Sequence, residues 1–425
     1  MLQNLYSSAP VQGAVWYSQL AQAPDGNLYG TAPSSSSTKG SVFRLTPAGV
    51  LTTVVTFTGF AGSGSDPEGG LVVASDGNLY GTTAGGGAFG GGTLFKLTTN
   101  RQYQVLYSFT GSSNLATPQF TMVQANDGFL YGVTPGAVFR ATTGGSVITL
   151  TNFPSSPTRF ASSDGLVAGP DGWLYGTTIA SILGSPTMCG AIYKVATNGA
   201  FKTLHSFPVS PGSFEGNCAI AGLTPGPDGQ LYGTIGYSGS GLSTNNGQVF
   251  RMTTDGVITI LFTFGGTNGA NPRSRLVLAS DGNFYGTTSS GGPSNRGTVF
   301  RFTTNGVLTT LAGGFGPVGI VAAPALMPAS DGNLYGTGVS AGITGTSLIF
   351  RLVPPPALTA GVVVNNRLTL TWSAFSNGTY TVSYRSAKAT IWTTLVSGVL
   401  ATGTSCTASD WPGDDQRFYR VALLP

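Results

Sequence analysis

The chain of 425 residues is 40% hydrophobic and only 8% charged, with 65 glycines and a net charge of +4 at pH 7. It is too apolar for a disordered chain, and no apolar run approaches the roughly 20 residues that a membrane-crossing helix needs. Its 19 basic residues are scattered, without the Lys/Arg run that marks a nucleic-acid partner.

At the N-terminus, Met1 to Pro10 (MLQNLYSSAP) has neither the basic start nor the long apolar core of a signal peptide and reads as a β-strand. QNLYSS (Gln3 to Ser8) has the pattern of QVLYSFT (Gln104 to Thr110) and TLHSFP (Thr203 to Pro208) further on. A single motif then recurs, with its Asp at Asp25, Asp76, Asp127, Asp171, Asp228, Asp281 and Asp331. Each Asp is followed by Gly, a variable residue, Leu or Phe, Tyr and Gly. Seven copies at intervals of 44 to 57 residues mark a propeller or another repeat array.

The sixth copy shows how the unit is built. RLVLAS from Arg275 turns at Asp281-Gly282 into NFYGTTS; after a Gly-rich loop, GTVFRFT (Gly297 to Thr303) turns at Asn305-Gly306 into VLTTLA. Asp-Gly and Asn-Gly between β-rich runs are strong hairpin signals, so each unit is four short antiparallel strands, one propeller blade. Tyr285 and Thr287 face one side of the sheet, Phe284 and Gly286 the other, so both faces are apolar, as a blade between two neighbours requires. On this reading the motif Tyr residues are packing residues. A basic residue follows the third-strand aromatic in every copy (Arg44, Lys96, Arg140, Lys194, Arg251, Arg301, Arg351) and is expected either to pair with a motif Asp or to stand in solvent.

DGNLYGTT, GTVFRFTTNGVLTTL and GANPRSRLVLASDGNFYG, recurring in order from Met1 to about Leu352, resemble the bacterial Gloeo/Verruco (GloVer, "choice-of-anchor") tandem-repeat proteins. The resemblance implies a bacterial surface or exported protein whose C-terminal part varies between members, and it carries over no catalytic residue. The Gly/Ser/Thr richness and low charge point the same way, to an extracellular or cell-surface protein whose export signal lies outside this sequence.

The seventh copy is incomplete: after SLIFRLV (Ser347 to Val353) stand Pro354, Pro355 and Pro356 where a fourth strand belongs, while a spare fourth-strand sequence stands at Gln3 to Ser8. The expected fold is therefore all-β, a seven-bladed β-propeller over residues 1–353 closed by its N-terminal strand, because such a ring must not expose an edge. Residues 357–425 alternate as strands of a small immunoglobulin- or fibronectin-like sandwich, with Trp372, Trp392, Tyr380 and Tyr419 expected in its core.

Chemistry has to come from residues that do not repeat. Outside the motif the repeat region has Asp66, Glu68, Asp164, Glu215 and Asp255 as carboxylates, thin material for a glycosidase pair. The one histidine, His205, fills an aromatic position of the fourth strand; no metal-ligand set, phosphate loop or nucleophile elbow is evident, and no cofactor is expected. Variable loops share one face of the ring, and there the positions eight residues before each Asp differ: Tyr17, Glu68, Gln119, Ser163, Ile220, Arg273 and Ala323. Trp16, Tyr17, Glu68, Gln119 and Arg273 are thus the candidate ligand-binding residues, with Phe89, Tyr237 and Arg296 on longer loops. Cys189 and Cys218 belong to the same face and are a candidate disulfide. Two function classes remain: a non-catalytic module binding a polysaccharide or a protein, favoured by the scarcity of acids and histidine, and a polysaccharide lyase or glycoside hydrolase.

Overall fold

The computed structural model describes residues 2–7, 18–35, 38–60, 62–111, 115–153, 165–178, 188–208, 218–237, 246–313, 320–321, 326–340, 347–354, 356, 358–374, 379–387, 389–403, 405–412 and 416–423. The described residues are all-β, without a helix. Seven antiparallel sheets follow one another along the chain, one per motif copy. The sixth is typical: Val277–Leu278, Phe284–Thr288, Thr298–Phe302 and Leu308–Gly313 pair in chain order.

The motif glycine is explained by its cross-strand partner. Gly286 faces Phe300 in register, and a Cβ at Gly286 would lie 2.6 Å from the Phe300 ring. The same clash arises at Gly30, Gly81, Gly132, Gly176, Gly233 and Gly336 against Phe43, Phe95, Phe139, Tyr193, Phe250 and Phe350, at 2.3 to 2.5 Å. An aromatic ring lying over a glycine fills the sheet surface that the missing side chain leaves open.

The seventh sheet takes its outer strand from the other end of the chain. Leu2–Ser7 pairs antiparallel with Ser347–Leu352, and the register slips between Asn4 and Tyr6, opposite Phe350 and Ile349. In the sixth sheet the slip falls opposite the matching pair, Val299 and Phe300, so the N-terminal strand reproduces the fourth strand down to its bulge.

Apolar clusters join consecutive sheets. One combines Tyr29 and Val42 of the first with Leu79 and Phe95 of the second, and others link each later pair. A further cluster packs Met327, Tyr335 and Ile349 of the seventh sheet against Leu20, Leu28 and Phe43 of the first, with Leu5 and Tyr6 at its margin. There Ser330 N–H donates to Gln22 Oε1 at 2.7 Å and Thr337 Oγ1 to the Ser18 carbonyl at 3.4 Å.

Beyond the prolines lie two three-stranded sheets, Leu358–Val364, Arg367–Ser373 and Ser405–Asp410 in one, Thr393–Leu400, Thr379–Ser386 and Arg417–Leu423 in the other. They share a core in which Trp372 and Tyr380 are fully buried with ring centroids 6.0 Å apart, and Tyr419 packs at its edge. Trp392, expected in that core, is outside it, half-buried beside the Arg385 and Arg420 guanidiniums. Cys406 is buried as a free thiol. Cys189 lies within the strand Met188–Val195, rather than before it, and Cys218 begins Cys218–Ile220; their side chains, and so the proposed disulfide, lie outside the described residues.

Candidate functional site

Each motif Asp is a clamp on its own turn. Its Oδ2 accepts from the Tyr hydroxyl four residues on, at 2.6 to 2.9 Å in all seven copies. Its Oδ1 accepts the backbone N–H two residues on, as Asn78 N donates to Asp76 at 3.1 Å. The basic residue stands directly across from the motif Tyr, and where it is Lys it reaches the Asp of its own sheet, Lys96 to Asp76 at 3.4 Å and Lys194 to Asp171 at 3.1 Å. Lys194 also donates to the Thr254 carbonyl of the next sheet's turn at 2.9 Å.

These contacts set the protonation of the clamp. Partial burial pushes the Asp76 carboxyl up, but hydrogen bonds from Asn78 and Tyr80 and the Lys96 charge outweigh it, and the group falls to about 2. Asp25 and Asp171 are lowered by the same balance, while desolvation and the Asp25 carboxylate raise the Tyr29 hydroxyl to about 12. A carboxylate held ionised and saturated with donors is a poor general acid. Because Asp25, Asp76 and Asp171 bind protons less readily folded than unfolded, their contribution to stability is complete above about pH 5 and is lost as pH falls through about 4 towards 2. Thermal melts should therefore hold level from pH 7 to about 5 and drop below about 4, with a shallower drop in Asp76→Asn; an identical profile in the variant would show that the clamp adds nothing.

At the opposite end the segments leading into the innermost strands are tied to one another. Ser18 Oγ donates to the Thr31 carbonyl at 3.0 Å, Thr31 Oγ1 to the Gly69 carbonyl at 2.8 Å, and Gly70 N–H to Thr121 Oγ1 at 2.7 Å. A Cβ at Gly69 would lie 2.6 Å from the Phe120 carbonyl carbon, so only glycine permits this approach. On the far side Thr234 Oγ1 donates to the Ser274 carbonyl at 3.2 Å. This network places Glu68 beside the segment of Gln119, while Arg273 adjoins Ser274. Glu68 and Arg273 are exposed and Gln119 half-buried; Trp16 and Tyr17 lie outside the described residues.

A cavity of about 300 Å³ is bordered by Gln19, Thr121 and Arg275 of these segments and by Val72, Val123 and Val167 of the innermost strands. Glu68, Gln119 and Arg273 do not line it. Apart from Gln22, its polar lining comes from the positions six residues before the motif Asp, where Gln19, Thr121 and Arg275 stand among Gly70, Gly165, Gly222 and Ala325. Comparing the copies two residues deeper would have found them. Although the Glu68 side chain is exposed, its carboxyl is raised, by partial desolvation first and by Asp66 second. Asp66 has a positive φ of 56° and accepts a hydrogen bond from Ser34 Oγ. His205 lies on the outermost strand Phe201–Pro208, its ring 4.5 Å from that of Phe207, and burial lowers its pKa. Phe89 is exposed on its loop. Among the described residues no group of three His, Cys, Asp or Glu side chains is placed to hold a metal.

Three stretches of the chain, residues 1–136, 134–279 and 235–381, match the Gloeobacter/Verrucomicrobia repeat. None of the curated proteins matches it in sequence. Among solved structures it is similar to a streptogramin B lyase, at 14% identity and a TM-score of 0.54 over 82% of this chain and 97% of that one. A catalytically inactive histidine-to-alanine variant of virginiamycin B lyase from Staphylococcus aureus, solved with quinupristin, gives 15%, 0.53, 83% and 99%. The extracellular domain of a hybrid two-component system from B. thetaiotaomicron gives 12% and 0.51 over 97% of this chain, which spans 54% of that one. At such identities the likeness is one of fold, an all-β, propeller-like architecture.

Proposed function

The chain belongs to the Gloeobacter/Verrucomicrobia repeat family, and we propose that it is an exported, non-catalytic binding module. In this reading residues 1–353 form a seven-bladed β-propeller closed by the N-terminal strand, residues 357–425 an immunoglobulin-like sandwich, and a polysaccharide or protein is recognised at the variable-loop end of the cavity. The cluster joining the seventh sheet to the first supports the ring.

The observation that carries the functional reading is where the proton-transfer groups stand. The cavity is bordered by an Arg, two Gln and a Thr among apolar side chains; the one histidine is on an outermost strand, and the motif carboxylates are saturated at the other end. Such a lining binds through directional hydrogen bonds and apolar contact. Glu68 and Arg273, with Trp16, Tyr17 and Gln119, form the rim in this reading. A glycan and peptide array probed with the parent and with Arg275→Ala and Arg273→Ala should show a ligand of the parent bound about tenfold less tightly by at least one variant, at unchanged melting temperature. Equal binding by both variants would mean that the wrong surface has been chosen.

A second reading, a carbohydrate-active enzyme, is favoured by the raised Glu68 carboxyl beside Asp66. Product release from polysaccharides that stops in Glu68→Gln would establish it in place of the first.

A further inference from the structure

The second C-terminal sheet has an outer face that the core does not use. Val382 opposite Val421 and Tyr384 opposite Tyr419 alternate with Ser383 opposite Arg420 and Arg385 opposite Phe418, so the latter four share the face turned away from the core. Trp392, just before Thr393–Leu400, joins them. The Arg420 guanidinium lies 4.5 Å from the Trp392 ring centroid, and that of Arg385 lies 5.5 Å from Trp392 and 5.4 Å from Phe418. Ring and guanidinium thus alternate as Phe418, Arg385, Trp392, Arg420, and beneath them Ser383 is buried. Phe418 is 46% exposed and Ile391 at the margin 77%. Further along the same face Thr381 and Ser397 share a hydroxyl hydrogen bond at 2.9 Å.

Among the described residues the charge on this face is of one sign. Among the described residues of the module the carboxylate is Asp410, and it is held by Arg417 Nη1 and the Tyr419 hydroxyl, both at 2.7 Å, away from this face. Two stacked guanidiniums have their planes fixed by the rings, so their N–H forks are already oriented when a carboxylate arrives. Exposed aromatic surface and hydroxyls beside such forks suit a pyranose ring bearing a carboxylate.

We propose that this face, from Phe418 to Arg420 across Trp392, is a second binding site, separate from the cavity of the repeat region, and that it takes an acidic polysaccharide of uronate residues. The inference does not depend on what the repeat region binds. One flat sheet with two stacked arginines lacks the long basic groove that single-stranded nucleic acid follows, which is why the uronate polymer is the assigned ligand.

The test is calorimetric titration of the full-length protein with polygalacturonate, with dextran and an oligothymidylate as comparisons, at about 20 mM and about 300 mM salt. Polygalacturonate should bind, more weakly at the higher salt, and dextran should not. Arg385→Gln/Arg420→Gln should lose at least about tenfold in affinity at unchanged circular dichroism, and Lys202→Gln, an exposed position on the outermost strand of the fourth sheet, should bind as the parent does. Arg385→Lys/Arg420→Lys, which keeps the charge and loses the planar fork, should also lose severalfold, and it serves if the Gln pair fails to fold. Absence of binding, equal binding of the oligothymidylate, or full affinity in the Lys pair would overturn the proposal.

Discussion

Deleting residues 1–7 is expected to lower the melting temperature by about 5 °C and to make the protein aggregate on warming. The deletion strips Leu5 and Tyr6 from the cluster between the seventh and first sheets and unpairs the strand Ser347–Leu352. Two half-buried side chains of this size and the lost ladder together amount to about 4–6 kcal/mol, and in a chain of this length each kcal/mol moves the melting temperature by about 1 °C. The freed strand has the sequence SLIFRL, an apolar edge that invites pairing between molecules. Calorimetry with light scattering checks both effects, and a synthetic peptide of residues 1–10 should restore part of the loss by strand addition. A deletion variant that melts with the parent would mean that the pairing contributes nothing to stability.

The second large effect is expected at Gly132. An added methyl would sit 2.3 Å from the Phe139 ring within a sheet packed on both faces, so Gly132→Ala should cost about 3 kcal/mol or more by urea denaturation. Pairing it with Phe139→Leu, which removes the far end of the ring, should return part of that loss. Gly128 provides the contrast: it has φ +82° but nothing within 4 Å of an added Cβ, so Gly128→Ala incurs only backbone strain, about 1–2 kcal/mol. Equal costs at the two positions would mean that the ring over Gly132 is not what excludes a side chain.

The repeats were legible because their turns are chemically local. Asp76, Gly77 and Tyr80 determine a hairpin among themselves, through a positive φ and two side-chain hydrogen bonds, so seven copies announce seven sheets without any long-range contact. The N-terminal strand was legible because its sequence resembles the other fourth strands. Elsewhere the sequence said less. The innermost strands begin only four residues before the motif Asp, as at Ala21–Gln22. Eight residues back, at Glu68 or Arg273, the chain is already loop, and side-chain direction follows loop hydrogen bonds rather than strand alternation. Trp392 was misassigned for a related reason: register slips between Tyr380 and Val382 and between Val382 and Ser383 break the parity by which alternating residues are sorted to core and surface.

The pairing of Leu2 with Leu352 also bears on the order of events during synthesis. The strand Leu2–Ser7 leaves the ribosome 350 residues ahead of its partner, so at about 5–20 residues per second it waits roughly 20–70 s before the seventh sheet can form. Each intermediate sheet can form its own hairpins and pack on its predecessor in the meantime, since those contacts are local in sequence. The last step joins the two ends of the folded array, and its search is narrowed because the neighbouring sheets already hold them near one another. A nascent chain halted before residue 347 would carry six completed sheets and an unmatched N-terminal strand, and it is in that interval that the protein is most exposed to pairing with the wrong edge.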